Sequence, residues 1–519
     1  MRLKDLLSGI YTGQLAQGFA DYEISSLSCD SRTIQQNCLF VALAGNQFNG
    51  NDFIRDAVAR GAVVVVRSGN NPQDVLIFPD HVCVLDVDDP KKFLSDLALR
   101  FYGNPSRRVK VFGITGTNGK TTVTYLLESI AQSYQKKCAV VGTINYRIGS
   151  EVLPSKNTTP SFLENQKFLA RLVADNVEYS FMEVSSHALI QGRVELVDFR
   201  VAVFTNLTGD HLDYHKTMEE YFRAKSILFT SLSREAVAVI NADDPYGRKL
   251  LDLTEARIFT YGFDPSARVR AKDIQFDFTG SSMVIETPVG SFQLNTPLIG
   301  THNVYNILAA VGAGLADGIG LDVIKEGLEH VKLIPGRLEK VECGSDSFVF
   351  IDYAHTEDGL KNVLQALRLL TFSSPIEMIN LQPSATPKVG DLSLDKERSI
   401  TGKAKIITVF GCGGDRDRTK RPKMGKVACE LSDHAIVTTD NPRSEEPQAI
   451  IDEICVGFSN KNYEVIVDRT QAIHRALSMA SKGDVVLIAG KGHETYQIFK
   501  DRTIDYDERD VIRDFLKAV

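Results

Sequence analysis

Short apolar, β-branched runs recur along most of the chain, and between them lie stretches whose apolar residues are spaced three and four apart. The runs Val63–Val66, Val109–Ile114, Ala139–Gly142, Val201–Thr205, Ala236–Ile240, Phe348–Ile351, Ile406–Phe410, Ala435–Val437 and Val485–Ile488 read as strands. Alternation of strand runs with helical patterns is what parallel βα sheets require, so the expected class is α/β. After the strand at Val109, apolar Val123, Leu126, Leu127, Ile130, Ala131 and Tyr134 fall on one face of a helix.

Two places look like joints: Tyr102-Gly-Asn-Pro-Ser-Arg-Arg108 and Ile334-Pro-Gly-Arg337. They divide the chain into 1–105, 106–335 and 336–519, each a suitable size for one domain. The total of 519 residues agrees, at about 150 residues per domain. The stretch 373–401 has three prolines and little periodicity, and reads as an irregular surface insertion.

Composition narrows the class without naming a chemistry. Hydrophobic residues at 43% and charged residues at 24% are globular proportions. Lys and Arg number 59 against 66 Asp and Glu, a net charge of −7, so no whole-chain footprint for nucleic acid is expected. The eight cysteines, at Cys29, Cys38, Cys83, Cys138, Cys343, Cys412, Cys429 and Cys455, form no C-x-x-C pair and no zinc-spaced cluster. The amino terminus turns polar before a signal core could form, and no run of about 18 apolar residues occurs. A cytoplasmic protein with reduced thiols and no membrane insertion is expected.

The sharpest chemical signal is Gly113-Ile-Thr-Gly-Thr-Asn-Gly-Lys-Thr-Thr122, set between a strand and a helix. This is the setting of a phosphate-binding P-loop: backbone N–H groups freed by Gly116 and Gly119 face an anion, Lys120 adds a charge, and Thr121 offers a hydroxyl to Mg²⁺. Five residues rather than four separate Gly113 from Gly119, so the strict Walker A spacing is not met. Glu183, in Phe181-Met-Glu-Val-Ser-Ser-His187, ends a strand where open α/β sheets bind ligands; a metal-holding role and a solvated carboxylate are equally open. In Thr205-Asn-Leu-Thr-Gly-Asp-His-Leu-Asp-Tyr-His215, His211 is a metal-ligand candidate, whereas a capping or surface role suits His215. Further strand-end clusters are Asp352-Tyr-Ala-His355, Phe410-Gly-Cys-Gly-Gly-Asp-Arg416, Thr438-Thr-Asp-Asn-Pro-Arg443 and Ala489-Gly-Lys-Gly-His-Glu494. Arg in glycine-rich turns suits carboxylate or phosphate recognition. Lys420–Lys423 reads more readily as a solvated charge run than Arg416 does.

The strings TGTNGKTT, MEVSSH, TNL-x-x-DHLDYH, DYAHT, FGCGGDRD, DNPR and AGKGHE, in this order, resemble the Mur ligases, and most nearly those members that add meso-diaminopimelate. The resemblance covers the chain apart from 373–401. It implies a central P-loop ATPase sheet, an N-terminal α/β domain for a UDP-sugar and a C-terminal Rossmann-like domain for an amino acid. It implies amide formation by ATP through an acyl-phosphate, from UDP-N-acetylmuramoyl-L-alanyl-D-glutamate, within peptidoglycan synthesis, with ATP and Mg²⁺ as cofactors.

Residue by residue, Gly116, Thr117, Asn118, Gly119, Lys120, Thr121 and Thr122, with Asn303, Arg337 and Asp352, resemble ATP contacts. Thr121 and Glu183 resemble holders of one magnesium, and His211 a ligand of a second. Lys225, in Tyr221-Phe-Arg-Ala-Lys225, matches a carbamoylated lysine; the helix pattern alone would make it a surface residue. Cys29, Ser31, Asn46, Gln47, Phe48, Asn157, Thr158, Thr159, Ser185, Gln191 and Arg193 resemble contacts to the UDP-sugar peptide. Arg416, Asp440, Asn441, Pro442, Arg443, Gly490 and Glu494 resemble contacts to diaminopimelate, whose distal carboxylate and ammonium call for an Arg and a Glu. Cys29 stands where Leu is usual, and Glu357 where Pro is usual. The alternatives are a lysine-adding or folylpolyglutamate synthase-like ligase and, in another class, a P-loop ATPase or nucleotide-sensing scaffold without ligation.

Overall fold

The computed structural model describes residues 1–16, 18–45, 48–69, 78–342, 346–372 and 404–518. The insertion expected at 373–401, Cys343, Asn46 and Gln47 lie outside the described residues. Two compact units emerge. The first comprises Met1–Val111, Pro160–Glu178 and Gln191–Asp198, and the second Phe112–Thr159, Tyr179–Ile190 and Phe199–Val519.

The first unit holds a parallel sheet in the order β1 (Ser26–Ser28), β2 (Cys38–Val41), β3 (Ala62–Ser68), β4 (Cys83–Val87). Side chains alternate across a strand, so Leu39, Val41, Val64 and Val66 join Leu94, Leu97 and Ala98 of helix Pro90–Tyr102 in one core. Phe40 and Val65 point the other way, onto Ile54 and Ala57. The helix stops at Gly103, in the left-handed conformation with φ 73°, and a short turn, Pro105–Arg107, follows at the position of the first expected joint.

The second unit carries two large sheets. One has the order β12 (Arg257–Tyr261), β11 (Val237–Asn241), β10 (Phe199–Phe204), β5 (Lys110–Thr115), β9 (Tyr179–Glu183), β6 (Cys138–Val141), β7 (Asn145–Ile148), β8 (Glu151–Pro154). Within it β10, β11 and β12 pair in parallel, as do β6 and β9, while β7 and β8 are antiparallel additions. Helices Lys120–Ser133 and Thr301–Ala316 cover one face, burying Val123, Leu126, Leu127, Ile130 and Ala131 with Phe112, Ile114, Val201 and Val203. Full burial of each Val, Leu, Ile or Phe side chain among these contributes about 1.5–3 kcal/mol. Tyr134, the outermost residue of the expected stripe, caps the helix and remains 38% exposed. Strands β13 (Arg270–Asp277), β14 (Gly280–Thr287) and β15 (Gly290–Thr296) form an antiparallel meander.

The other large sheet has the order β16 (Glu339–Val341), β17 (Phe348–Asp352), β21 (Val485–Ala489), β18 (Ile406–Phe410), β19 (His434–Val437), β20 (Tyr463–Val465). It is parallel except for β16 at its edge. Val349, Ile351, Ile407, Val409, Val486 and Ile488 face Ala472, Ile473 and Ile512, whereas Phe350, Ile406, Phe410, Val485 and Leu487 face Leu360, Leu364, Met424 and Ala428. The joint expected at 334–337 falls between the two large sheets in sequence. All nine strand runs read from the sequence are strands, and among the described residues no helix is long and apolar enough to cross a membrane. The seven described cysteines are free thiols.

Candidate active site

Apart from Tyr221–Lys225, which lies within the helix Met218–Thr230, the chemical strings named above lie at or just after the carboxyl ends of strands, where an open α/β sheet presents its loops. After β5 the chain must turn sharply, and two glycines permit it. At Gly116, φ 151°, a Cβ would stand 1.8 Å from Thr205 Oγ1; at Gly119, φ 87°, one would stand 2.2 Å from Asn306 Oδ1. Both the backbone conformation and the close approach therefore demand glycine. Between them Thr117 N donates to Asn206 O (2.9 Å), Asn118 N to Asn206 Oδ1 (2.9 Å), and Thr205 Oγ1 to Asn118 O (2.6 Å). The helix opening at Lys120 presents its first N–H groups beyond this turn, the ordinary seat of a phosphate. The Lys120 ammonium folds back on the carbonyls of Gly116 (2.9 Å) and Thr117 (2.8 Å).

Glu183 is buried, not solvated: at 1% exposure it accepts hydrogen bonds from Thr121 Oγ1 (2.9 Å), Thr143 N (3.0 Å) and Thr143 Oγ1 (3.0 Å). Thr121 Oγ1 in turn accepts from Arg337 Nη2 at 3.1 Å, bringing a residue 216 positions away onto the glycine loop. Arg337 also lies over the Tyr353 ring, 4.9 Å from its centroid, and its buried Nε has no hydrogen-bond partner among the described residues.

Lys225 corrects the helix-surface expectation. It is 1% exposed, donates to Gly116 O at 2.8 Å, and sits 4.6 Å from the Tyr221 ring centroid. Burial, helped by the nearby Lys120 charge and opposed by Asp210, holds its ammonium well below the usual lysine range. His211 takes a left-handed φ of 55° and keeps an exposed side chain; partial desolvation by the surrounding protein, opposed by Asp210, lowers its imidazole to about 4, which favours the neutral ring a ligand needs. The capping or surface role expected for His215 is also overturned: it is 2% exposed, shares a 2.8 Å hydrogen bond with Ser186 Oγ, and stacks on Tyr221. Among the described residues no three His, Cys, Asp or Glu side chains form a metal cage.

Of the other nucleotide positions, Asp352 is buried and accepts from Leu338 N (2.6 Å) and Ala354 N (2.7 Å); burial pushes its carboxyl up to about 6. Asn303 points inward, donating to Ile299 O at 2.9 Å and accepting from Asn306 Nδ2 at 3.1 Å.

In the second unit Thr158 Oγ1 lies 3.1 Å from Thr143 Oγ1, and Thr159 Oγ1 donates to Glu183 O (2.8 Å) and accepts from Ser185 N (3.1 Å). Asn157 is exposed beside them. In the first unit Ser31 is buried on a turn capped by Asp30, Cys29 and Phe48 are exposed, and Arg193 Nε donates to Gln191 Oε1 at 2.8 Å.

The last sheet gathers three loops. Asn441 Nδ2 donates to Glu494 Oε2 (2.7 Å), which also receives Lys491 Nζ (3.1 Å), and Lys491 reaches Asn441 Oδ1 (3.2 Å). Arg443, with φ 52°, donates Nη1 to Gly414 O at 2.7 Å, and a Cβ on Gly414 would meet Pro442 O at 1.9 Å. A Cβ on Gly490 would approach Asp440 Oδ2 to 2.7 Å. Arg416 is exposed. The charge run at Lys420–Lys423 is not uniformly solvated: Arg421 is fully buried, paired with Glu445 (2.8 Å) and Glu453 (2.8 Å), because it fastens the glycine loop to the next helix.

Beneath these loops Arg469 and Glu508 are both fully buried, 2.6 Å apart, and Arg469 also donates to Thr439 O and Ala489 O at the ends of β19 and β21. Arg469→Ala strands the Glu508 carboxylate, so equilibrium urea unfolding should show a loss of about 3–5 kcal/mol. A loss under about 1 kcal/mol would mean that the pair does not hold these strand ends.

Thr143, Asn206, Asp210, Asp358 and Lys491 are not singled out by the sequence. Asn206 and Lys491 stood inside quoted strings directly after strands; Thr143 and Asp358 carried no local signal.

A glycine loop at a strand-to-helix turn, with Lys120, Thr121 and a buried Glu183, defines a P-loop nucleotide-binding α/β protein, here joined to a second parallel sheet. Comparison with known proteins names the family. Residues 114–314 match the Mur ligase middle domain, 391–492 the Mur ligase glutamate ligase domain, and 23–102 the Mur ligase family catalytic domain. The chain belongs to the Mur ligase family. It is 42% identical over 498 residues to the UDP-N-acetylmuramoyl-L-alanyl-D-glutamate–2,6-diaminopimelate ligase of Bacillus cereus, covering 95% of this chain and 94% of that one. The enzyme of the same name from Geobacillus thermodenitrificans is 42% identical over 525 residues, covering 100% and 99%. A solved structure of a ligase of this name aligns with a TM-score of 0.66 and 29% identity, over 100% of this chain and 99% of that one. The MurF ligase of Thermotoga maritima, solved with ADP, shares the fold with a TM-score of 0.61 at 18% identity, over 95% and 97%.

Proposed function

We propose that this chain is an ATP-dependent amide ligase that joins meso-diaminopimelate to the D-Glu γ-carboxylate of UDP-N-acetylmuramoyl-L-alanyl-D-glutamate, a step of peptidoglycan precursor synthesis in the cytoplasm. The observation that carries the reading is the meeting of Arg337 with Thr121 at the glycine loop, beside the buried Lys225 amine. Full-length similarity to diaminopimelate ligases supplies the substrate class.

The chemical problem is that a carboxylate is a poor acyl donor. Its oxygen attacks the γ-phosphorus of ATP, ADP leaves, and the acyl-phosphate carries a good leaving group. A neutral amine of diaminopimelate adds to the carbonyl carbon; the tetrahedral oxyanion collapses, phosphate departs, and the amine's proton is lost to leave the amide. Lys120 and Arg337 hold and neutralise the transferring phosphoryl group, and the first turn of the Lys120 helix orients it. Thr158, Thr159 and Ser185 cluster beside Glu183, a position suited to the peptide arm.

Thr121 and Glu183 offer hard oxygens of the kind magnesium takes, and neutral His211 fits a second ion. Lys225 fits that set only as a carbamate: its uncharged amine adds CO₂ and loses a proton, replacing a nitrogen by an anionic oxygen donor. Bound magnesium would supply charge neutralisation at the phosphates. Arg443 suits the distal carboxylate of diaminopimelate. Glu494, already facing Lys491, has its Oε1 for the distal ammonium.

Phosphate release from ATP should require both the UDP-sugar dipeptide and diaminopimelate, with a product heavier by one diaminopimelate less water. Release indifferent to the amino acid would favour a plain ATPase, and equal turnover with lysine would displace diaminopimelate as the substrate.

A further inference from the structure

We propose that Asp358 is a positioning residue that sets the ATP loop in register with the strand end carrying Asp352; this rests on the reading of Gly116–Thr122 as the nucleotide loop. Asp358 lies in the first turn of the helix Glu357–Phe372, which follows β17 and Asp352. One oxygen, Oδ2, accepts three hydrogen bonds: from Asn118 Nδ2 at 2.9 Å, Asn362 Nδ2 at 3.1 Å and Thr208 Oγ1 at 3.2 Å. Two of the donors come from 240 and 150 residues away, so chain proximity does not account for the meeting.

The donors are those of the site itself. Asn118 sits midway in the glycine loop, with its backbone N–H and carbonyl already held by Asn206 and Thr205. Its side-chain amide is left to report on what lies outside the loop, and Asp358 receives it. Thr208 precedes Asp210 and His211, and exchanges hydrogen bonds with Thr117: its N–H donates to Thr117 Oγ1 (3.0 Å), whose hydroxyl donates to its carbonyl (3.2 Å). Residues 117–118 and 205–208 thus form one clamped body. A carboxylate, which only accepts, can gather several neutral donors without a competing donor of its own. Asp358 fixes that body against the segment that brings Asp352 and Arg337 to the loop. Burial raises its carboxyl above the usual aspartate range, and the three hydrogen bonds oppose that shift. Without Asp358 the loop keeps its bonds to Thr205 and Asn206 and stays folded. Its register against the nucleotide contacts is then loosened, and errors near 1 Å cost up to about a hundredfold in rate.

Steady-state ligation by full-length variants tests this. Asp358→Ala should raise the ATP KM about tenfold and lower kcat about tenfold, with both other KM values within about twofold of wild type. Asn118→Ala should act alike, and the double variant should be no worse than either single one, because both remove the same contact. Asp358→Asn, which retains one acceptor oxygen, should recover most of the loss, and Asn362→Ala should match wild type. Where Asp358→Ala fails to fold, Thr208→Val removes a donor at nearly constant shape and should shift the ATP KM in the same direction. Unchanged ATP parameters, a uniform rise of all three KM values, or additive effects in the double variant would overturn the proposal. If wild type releases phosphate without ligating, the functional reading fails; if wild type ligates and Asp358→Ala equals it, only this inference does.

Discussion

Lys225→Ala should lower ligation turnover by about a hundred- to a thousandfold, and added short carboxylic acids should restore part of it. The expectation follows from how the amine is held. Its nitrogen is buried against Gly116 O at the base of the glycine loop, and neither its burial nor the neighbouring Lys120 charge favours an ammonium there. An amine whose ammonium form is disfavoured by burial is the form that adds CO₂, and the proposed carbamate would place an anion near Lys120. Alanine removes the nitrogen and leaves space that formate or acetate can enter. Coupled phosphate-release measurements with and without these acids, alongside thermal unfolding, separate lost chemistry from lost folding. A fully active alanine variant would leave Lys225 a structural residue, whereas rescue by carboxylates but not by short amines would support an anionic oxygen at this position.

Arg443→Ala should raise the KM for diaminopimelate by about ten- to a hundredfold, equivalent to the roughly 1.5–3 kcal/mol of a charge-assisted hydrogen bond, while leaving the ATP KM within about twofold. The side chain stands among the three loops that close the last sheet, with one guanidinium nitrogen on Gly414 O and its backbone N–H on Ile498 O. This tether fixes the direction of the planar fork, so a substrate carboxylate would meet donors already oriented. Arg443→Lys keeps the charge but not the fork and should fall between the two. Measuring both KM values in one panel decides the matter: equal rises for ATP and diaminopimelate would remove Arg443 from carboxylate recognition.

The strands and the glycine loop were legible because their signals are local. A buried strand needs a run of apolar residues wherever it lies, and a tight phosphate turn needs glycine at positions such as 116 and 119 whatever packs around it. Charged residues were read less well. Lys225 and Arg421 look like surface residues on their helices, yet both are buried, one against a loop carbonyl and the other between two glutamates. His215 and Glu183 likewise found partners in Ser186, Thr121 and Thr143. Family resemblance singled out Lys225, but not the burial that disfavours its ammonium.

By itself the sequence determined the α/β class, the strand ends that carry chemistry and the residue types each loop offers, since periodicity and turn chemistry depend on near neighbours along the chain. Only the tertiary structure decided which of these groups share one environment: Arg337 on Thr121, Asp358 on Asn118 and Thr208, Lys225 beneath Gly116. Those meetings join segments more than a hundred residues apart, and the burial that disfavours the Lys225 ammonium exists only once the sheets have packed.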